Sequence, residues 1–351
     1  MKVVIAAGGT AGHVVPALAV AGALQAEGAD VVWVGGERAE AELVPAAGIE
    51  LHPIDVRGLS RTNPLAAARA SLLAARAVST ARKILRTEGA DVVLGGGGYV
   101  AGPVGAAAAL TGTPLVLAEA DSHLGISNRL LAPRARRVCL AFPLEGRSGD
   151  KYVVTGRPVP APATDRAAAR ARFGLGPDDR VVLIFGGSLG ARSINVAAVE
   201  AFADAPYRVL HAAGRRDFDD LVPRVPGANY DLHPYIDRFG EALLAADLVV
   251  ARSGGSVFEI AAAGRAAVLV PYPHATADHQ TSNARWMVDA GAAVLVPDAE
   301  VTPERLRSEV DAILGDPARL EAMSRASLSL ARPDAAEAIA REVLAAARSG
   351  A

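Results

Sequence analysis

A glycine-rich turn near the N-terminus holds the first residues whose types and spacing could do chemistry. The segment Gly8-Gly9-Thr10-Ala11-Gly12-His13 directly follows a short apolar run and precedes a helical apolar pattern. Such a strand-to-helix turn presents backbone N–H groups that favour a phosphate or another anion. The imidazole of His13 ordinarily titrates near neutral pH. An anion-binding turn with a candidate base predicts group transfer, although the turn alone is also typical of a tight connection.

Three further polar segments follow apolar runs, at residues 186–190, 251–259 and 278–283. In the first, the hydroxyl of Ser188 could donate to a phosphate. In the second, Glu259 could accept two hydrogen bonds from a ribose diol, or it could complement the dipole of the helix that it begins. The third offers neutral donors and acceptors suited to sugar hydroxyls, and it is equally typical of a polar helix N-terminus.

The elements that would position these turns are short apolar strands alternating with helical patterns, which indicates parallel sheets covered on both faces. In the first half the predicted strands are 2–7, 31–35, 91–95, 114–119, 136–142 and 152–155. After a proline-rich stretch the plan restarts, with strands at 180–185, 207–212, 247–251, 266–271 and 292–296. We therefore predict an α/β protein of two doubly wound, Rossmann-like domains, 1–158 and 159–335, that face a cleft. Ligands of such sheets bind beyond the carboxyl ends of the strands, where both glycine turns lie.

Composition bounds the function further. The chain has 351 residues, of which 51% are hydrophobic and 21% charged, as in a globular protein with a large core. No apolar run reaches the ~20 residues of a membrane span, and the N-terminal apolar run is better explained as a strand than as a signal peptide. Cys139 is the only cysteine, which excludes an internal disulfide and a cysteine-rich metal site.

A basic run without acids extends from Arg57 to Arg86. On the helix predicted at 64–87, leucines alternate with Arg69, Arg76 and Lys83. The pattern fits either a solvated helix face or a patch for an anionic membrane surface. A nucleic-acid partner is not expected, because the chain has a net charge of −2 and the run lacks an aromatic platform.

Five motifs together resemble the MurG family of UDP-N-acetylglucosamine:N-acetylmuramyl-(pentapeptide) pyrophosphoryl-undecaprenol N-acetylglucosaminyltransferases. In family order, and over residues 1 to about 330, they are GGTAGHVVPALAVA, GGGGYVAGPVG, GGSLGARSIN, ARSGG…EIAAAG and HQTSNA. The resemblance implies a GT-B fold and an inverting hexosyltransferase of glycosyltransferase family 28 type, without a catalytic metal or cofactor. It also implies a C-terminal helix, about 336–351, packed back on the first domain.

The implied substrates are UDP-N-acetylglucosamine and lipid I, the undecaprenyl-pyrophosphoryl-MurNAc-pentapeptide. Transfer to the 4-hydroxyl of N-acetylmuramic acid would give lipid II for peptidoglycan synthesis, and hence for the cell wall, cell shape and cell division. Because lipid I is membrane-anchored, the enzyme is expected to be peripheral, at the cytoplasmic face of the cell membrane.

The resemblance also assigns residues by position. His13 is the implied base, with Asp121 as a rival carboxylate in a strand-end loop, and the backbone of Ile236 would meet the uracil. Donor-binding positions are Thr10, Ala11, Gly12, Asp121, Ser188, Gly190, Ile236, Gly255, Ser256, Val257, Phe258, Glu259 and Gln280. The first domain would bind the acceptor through Gly98, Tyr99 and Gly102, and the membrane through Arg69, Arg76 and Lys83.

Four departures from the family pattern leave other activities open. Thr-Gly-Gly-His is Thr10-Ala11-Gly12-His13 here, and Glu-Gln-Asn is Glu119-Ala120-Asp121. Gly-Asn-Pro-Val-Arg is Gly156-Arg157-Pro158-Val159-Pro160, and the 253–258 segment is one residue shorter. One alternative is another UDP-sugar transferase that acts on a glycolipid or a small aglycone. The other is a GT-B-like epimerase or a sugar-nucleotide binder.

Overall fold

The computed structural model describes residues 1–56, 64–187, 189–225 and 227–348, with the side chains of 64–72, 74 and 276 outside that description. The chain forms two α/β units. The first comprises Met1–Val159 together with Arg332–Ala351, and the second comprises Pro160–Ala331.

The first unit is built on a seven-stranded sheet in the order β3-β2-β1-β4-β5-β6-β7, in which all pairs are parallel. Its elements are β1 (Lys2–Ala7), α1 (Ala11–Ala26), β2 (Asp30–Gly35), α2 (Ala39–Ala46), β3 (Glu50–Pro53), α3 (Pro64–Glu88), β4 (Val92–Gly97), α4 (Gly98–Thr111), β5 (Leu115–Glu119), α5 (Ile126–Leu131), β6 (Arg137–Leu140), β7 (Tyr152–Val154) and α14 (Ala335–Arg348).

The central strand β1 shows why this sheet is apolar throughout. Its residues alternate between two cores, because successive side chains of a strand point to opposite faces. Val3 and Ile5 pack with α1 and α14, whereas Val4 and Ala6 pack with α3 and α4. Both faces are covered, so the strand is a continuous apolar run with no polar alternation.

The second unit has a six-stranded parallel sheet in the order β10-β9-β8-β11-β12-β13. Its elements are α6 (Arg166–Arg172), β8 (Val181–Phe185), α7 (Arg192–Ala201), β9 (Arg208–Ala212), α8 (Phe218–Leu221), β10 (Tyr230–His233), α9 (Phe239–Ala245), β11 (Leu248–Ala251), α10 (Val257–Ala262), β12 (Ala266–Leu269), α11 (His279–Asp289), β13 (Ala293–Leu295), α12 (Pro303–Leu314) and α13 (Pro317–Ser329).

The two parallel sheets of the predicted α/β fold are confirmed, and the sequence missed two edge strands, β3 and β10. Each is four residues long and partly exposed, so neither carries the apolar run by which the buried strands are recognised. No helix among the described residues is both long enough and apolar enough to cross a bilayer.

Parallel pairing sets the location of the candidate site. Strands β1, β4 and β5 are adjacent, so the loops that follow them lie together at the carboxyl edge of the first sheet. Strands β8 and β11 are likewise adjacent in the second unit. Loops at such edges are where open α/β sheets bind ligands.

Candidate active site

His13 lies in the first turn of α1, where the chain leaves β1. Its backbone N–H donates to the carbonyl of Thr10 at 3.0 Å, which closes the turn. The Nδ1 atom is buried and has no hydrogen-bond partner among the described residues; it lies against Gly97, where a Cβ would be 2.9 Å away. Nε2, on the other side of the ring, is therefore the nitrogen available to a substrate proton.

Two opposite charges act on His13. Burial is the main cause that lowers the pKa of His13 below its ordinary value. The negative charge of Asp121 raises that pKa, and the positive charge of Arg157 lowers it again. Because the net direction is downward, the imidazole is neutral at pH 7, as a general base must be.

Arg157 is tied directly to this turn. Its Nη2 donates to the carbonyl of Gly12 at 2.8 Å, and Arg157 lines the same concavity as Gly12, His13 and Glu119. The structure thus brings the positive charge of Arg157, one of the departures from the family pattern, to the N-terminus of α1. A guanidinium and a helix N-terminus both favour a bound anion.

The loop that carries Asp121 is organised by Glu119. This carboxylate is 7% exposed and accepts from the backbone N–H of Asp121 at 3.1 Å, from that of Gly125 at 2.8 Å and from Nδ2 of Asn128 at 2.9 Å. Burial nevertheless raises the pKa of Glu119 above its usual value. Glu119 therefore fixes the backbone of the loop, while Asp121 is the carboxylate whose charge acts on the imidazole of His13.

The first glycine turn offers fewer donors than its sequence indicates. The N–H of Gly9 is used within the protein, because it donates to Oε2 of Glu40 at 2.9 Å. Thr10, Ala11 and Gly12 are exposed, and the first N–H groups of a helix have no partner inside that helix. An anion at this turn would consequently meet the start of α1 and not the N–H of Gly9.

The predicted acceptor loop lies against that same turn. Gly98 begins α4, and a Cβ placed there would be 2.0 Å from the carbonyl oxygen of Gly8. The hydroxyl of Tyr99 donates to Oε1 of Glu40 at 3.3 Å, and burial raises its pKa, with the charge of Glu40 as the next cause. Gly102 lies one turn further along α4, where a Cβ would be 3.0 Å from Oγ of Ser127.

In the second unit one concavity collects three of the predicted donor residues. Ile236, Ser256 and Glu259 line it together with Phe185, Gly187, Ala212, Gly214, Pro234, Tyr235 and Phe239. Ile236 is buried, so its backbone is the part that could meet a base. Glu259, in the first turn of α10, lines this concavity and also a second one beside Arg238 and Glu241.

The segment 255–258 contributes backbone and little side chain. Val257 is fully buried, and Phe258 is 5% exposed with its ring 5.0 Å from that of Trp286. Ser256 donates through Oγ to the carbonyl of Arg252 at 3.4 Å. The backbone N–H groups of Val257 and Phe258 are already used within the turn, because they donate to the carbonyls of Gly254 at 3.3 Å and of Gly255 at 3.2 Å. The predicted contacts of these two residues with the sugar nucleotide would therefore have to share those N–H groups.

Gln280 is held in one orientation at the start of α11. Its Oε1 accepts from the backbone N–H of Tyr272 at 3.0 Å, and its carbonyl accepts from the buried hydroxyl of Ser253 at 2.7 Å. The side-chain NH₂ group is left to donate, near Gly254, where a Cβ would be 3.7 Å from Nε2. A fixed amide donor suits a sugar hydroxyl or carbonyl.

The second glycine turn is described except for Ser188, which lies outside the described residues. Gly190 has φ +76° and donates to the carbonyl of Gly187 at 3.0 Å. A Cβ at Gly190 would be 2.0 Å from the carbonyl oxygen of Ala213, and that oxygen also accepts from Nδ2 of Asn195 at 2.8 Å. The close approach of these backbones requires glycine here.

The predicted membrane residues lie on α3. Arg76 and Lys83 are exposed, whereas the side chain of Arg69, like Arg57 and Arg61, lies outside the described residues. Among the described residues no group of three or more His, Cys, Asp or Glu side chains is placed to hold a metal ion.

Sequence reasoning missed two buried networks that support the turns. Glu40 joins two turns and the start of α4 in the first unit, and His211 joins Asn195 to Tyr230 in the second. Only Glu40 had a sequence signal, because it follows the glycine pair at the end of β2. That signal is weak, since an acid in the first turn of a helix is usually explained by the helix dipole.

Comparison with known proteins identifies the family. Residues 3–140 match the glycosyltransferase family 28 N-terminal domain, and residues 181–339 match the glycosyltransferase family 28 C-terminal domain. A protein of Moorella thermoacetica is 41% identical over 372 aligned positions, which cover 100% of both chains. One of Rubrobacter xylanophilus is 44% identical and covers 94% of this chain and 99% of its own. Both are named UDP-N-acetylglucosamine--N-acetylmuramyl-(pentapeptide) pyrophosphoryl-undecaprenol N-acetylglucosamine transferase.

Solved structures agree. MurG of Acinetobacter baumannii superposes with a TM-score of 0.81 at 32% identity and covers 98% of this chain and 99% of that one. A UDP-GlcNAc 2-epimerase of Neisseria meningitidis superposes with a TM-score of 0.70 at 16% identity, covering 98% and 100%, a likeness that shows the shared fold alone. With full-length relatives above 40% identity, the chain belongs to the MurG family within glycosyltransferase family 28.

Proposed function

We propose that this chain transfers N-acetylglucosamine from UDP-N-acetylglucosamine to the 4-hydroxyl of N-acetylmuramic acid in lipid I, and so forms lipid II for peptidoglycan synthesis. The observation that carries the proposal is the sequence identity of 41% and 44% to two transferases of that name, in alignments that cover 94% or more of this chain. The chemistry of the site supports it, because the neutral imidazole of His13 lies at the carboxyl edge of the first sheet. In the second unit, Glu259 lines a concavity that could hold the uridine.

The residues divide the reaction between them. In the second unit, Ile236 and Glu259 bind the uridine of the donor, and Gln280 donates to its sugar. In the first unit, Nε2 of His13 takes the proton of the acceptor hydroxyl while that oxygen bonds to the anomeric carbon. The bond from this carbon to the diphosphate breaks as the new one forms, so UDP leaves with the electron pair and the configuration inverts.

The negative charge on the leaving group is stabilised electrostatically. UDP departs with additional negative charge, which helix N-termini and glycine-turn N–H groups stabilise without a proton transfer. A positioned general base contributes ~10²- to 10⁴-fold. We therefore expect His13→Ala to lower turnover by about that factor and to leave UDP affinity within a few-fold, since the uridine residues lie in the other unit.

Incubation with labelled UDP-N-acetylglucosamine and a lipid I analogue tests the function. Transfer that is lost in His13→Ala supports the proposal. Turnover with other acceptors only would identify a different UDP-sugar transferase, and epimerisation or binding without transfer would identify an epimerase or a sugar-nucleotide binder. Unreduced transfer by a folded His13→Ala variant would remove His13 from the mechanism.

The same proposal places the enzyme peripherally at the cytoplasmic face of the membrane, where a lipid-linked acceptor is found. Arg76 and Lys83 are exposed on α3, and three large apolar side chains are exposed on α4 and α5: Leu110 (63%), Ile126 (51%) and Leu130 (66%). Helix α5 packs on α4 through Ser127 and Leu131, so Ile126 and Leu130 are directed away from that contact. Basic and apolar groups on neighbouring helices favour reversible binding to an anionic bilayer.

Sedimentation with anionic vesicles tests the membrane face. Each basic residue near such a surface contributes about 1 kcal/mol, and salt screens it. The pair Arg76→Gln/Lys83→Gln should release protein from the pellet at low salt, whereas the pair Arg305→Gln/Arg325→Gln, exposed on the second unit, should not. Equal pelleting of all three proteins would make the α3 run a solvated helix face.

A further inference from the structure

Glu40 is a fully buried carboxylate that no substrate role requires. It lies in the first turn of α2 and is 0% exposed. Its Oε2 accepts from the N–H of Gly9 at 2.9 Å, and its Oε1 accepts from the N–H of Gly36 at 2.9 Å and from the hydroxyl of Tyr99 at 3.3 Å. One side chain therefore joins the turns that follow β1 and β2 to the first turn of α4.

The turn after β1 and the junction between β4 and α4 also pack directly against each other. A Cβ at Gly97 would lie 2.9 Å from Nδ1 of His13, and one at Gly98 would lie 2.0 Å from the carbonyl oxygen of Gly8. A Cβ at Gly9 would lie 3.0 Å from the ring of Tyr99. Since these contacts leave no room for side chains, a shift of the first turn of α4 displaces the turn that carries His13.

Glu40 is the polar group beneath this contact. The ring of Tyr99 is covered on its open side by the guanidinium of Arg38, 5.5 Å from the ring centroid. Burying a carboxylate is costly unless hydrogen bonds compensate it, and here three donors do. The carboxylate pairs the backbone N–H groups of Gly9 and Gly36, which an apolar side chain would leave unpaired.

We propose that Glu40 is a positioning residue for the transfer reaction: its buried carboxylate holds the turn of His13 in register with the first turn of α4, which carries Tyr99. The inference rests on the function proposed above, in which His13 acts as the base. Glu40 touches neither substrate. Its effect is on the geometry of proton removal, where a displacement of about 1 Å can cost on the order of 10²-fold in rate.

The test compares Glu40→Gln with Glu42→Gln, a substitution of an exposed acid on the same helix. An amide has one acceptor oxygen and an NH₂ group, so it would set N–H against the N–H of Gly9 or Gly36. We expect kcat of Glu40→Gln to fall ~10- to 100-fold while the KM values for donor and acceptor stay within about 3-fold. Glu42→Gln should match the wild type.

Tyr99→Phe keeps the ring and removes only the hydroxyl, so it remains informative if Glu40→Gln does not fold. We expect a several-fold loss of kcat, and a double variant no slower than Glu40→Gln alone, because coupled residues are not additive. If Glu40→Gln folds, wild-type kcat in both variants would overturn the proposal. If it does not fold, wild-type kcat in Tyr99→Phe alone would overturn it. Rate losses in Glu40→Gln and Tyr99→Phe that multiply in the double variant would also overturn it.

A substrate-free readout separates this inference from the proposed function. The ¹⁵N resonances of the His13 imidazole should move in Glu40→Gln and stay in place in Glu42→Gln. If the wild type does not transfer to lipid I but these resonances move, the proposed function fails and the positioning holds. If the wild type transfers and the resonances and kcat of Glu40→Gln are unchanged, only the positioning fails.

Discussion

Acid should destabilise the second unit through a single buried histidine, His211. The side chain is 0% exposed, and burial lowers the pKa of His211 from 6.5 to about 3. Asn195 uses Nδ2 to donate to the carbonyl of Ala213 at 2.8 Å, so its Oδ1 accepts from Nε2 of His211 at 3.0 Å. Nδ1 then accepts from the hydroxyl of Tyr230 at 2.8 Å. His211 is thus held in one neutral tautomer.

The size of the effect follows from these two pKa values. Between pH 6.5 and 3 the unfolded chain binds a proton at His211 and the folded chain does not, so the free energy of unfolding falls by about 1.4 kcal/mol for each unit of acidification. From pH 7.5 to 5.0 the loss is about 2 kcal/mol. The same network supports the second glycine turn, because Asn195 and Ala213 lie against Gly190.

Urea unfolding at pH 7.5 and 5.0 measures this loss. In a Trp33→Phe background, Trp286 is the only tryptophan, so its fluorescence reports the second unit. His211→Gln should lower stability at pH 7.5 by ~1–3 kcal/mol, since two buried partners lose their fit, but it should lose about 2 kcal/mol less than the His211 protein on acidification. The exposed His274→Gln serves as the control. Equal acid sensitivity of the His211 and His211→Gln proteins would refute the reasoning.

Three further predictions concern the site itself. Glu259→Ala should weaken UDP binding by ~1.5–3 kcal/mol, the range for hydrogen bonds to a charged group; unchanged affinity by calorimetry in the folded variant contradicts the ribose role. Gln280→Glu keeps the acceptor that Tyr272 uses and removes the amide donor, so KM for UDP-N-acetylglucosamine should rise ~2- to 13-fold while UDP affinity, measured in parallel, stays constant. Asp121→Asn removes the charge that raises the pKa of His13, so the acid limb of kcat/KM should move to lower pH with little change at pH 8. A fall of ~10²- to 10⁴-fold at pH 8 would instead make Asp121 the base.

The sequence was sufficient for the architecture because the central strands are buried on both faces. Val3 to Ala7 and Val181 to Phe185 are apolar runs of strand length that end in glycine turns, and parallel strands with helical crossovers are the arrangement that covers both faces. The edge strand Glu50–Pro53 lacks that signal, because it is partly exposed and carries a glutamate and a histidine. Tertiary pairing with β2, and not local propensity, makes it a strand.

The candidate site was predictable as a set of loops but not as a set of contacts. The glycine turn was expected to offer its N–H groups to an anion, yet the N–H of Gly9 is used by a carboxylate 31 residues away. Tyr99 was assigned to the acceptor by position, and its hydroxyl is shared with that same carboxylate. Neither hydrogen bond can be recognised from a periodic pattern or a fixed spacing in the sequence, because both depend on which strands become neighbours in the sheet.

Two of the departures from the family pattern place a charged side chain near the imidazole of His13. Asp121 and Arg157 stand where the family has neutral amides, and they are 36 positions apart in the chain. In the structure both charges act on the imidazole of His13, one raising its pKa and the other lowering it. Either charge alone would shift the pKa of His13 in one direction. Together the two charges act in opposite directions, and burial is the main cause of the shift. Asp121→Asn therefore removes the one charge that raises the pKa of His13 and leaves burial and the charge of Arg157, which both lower it.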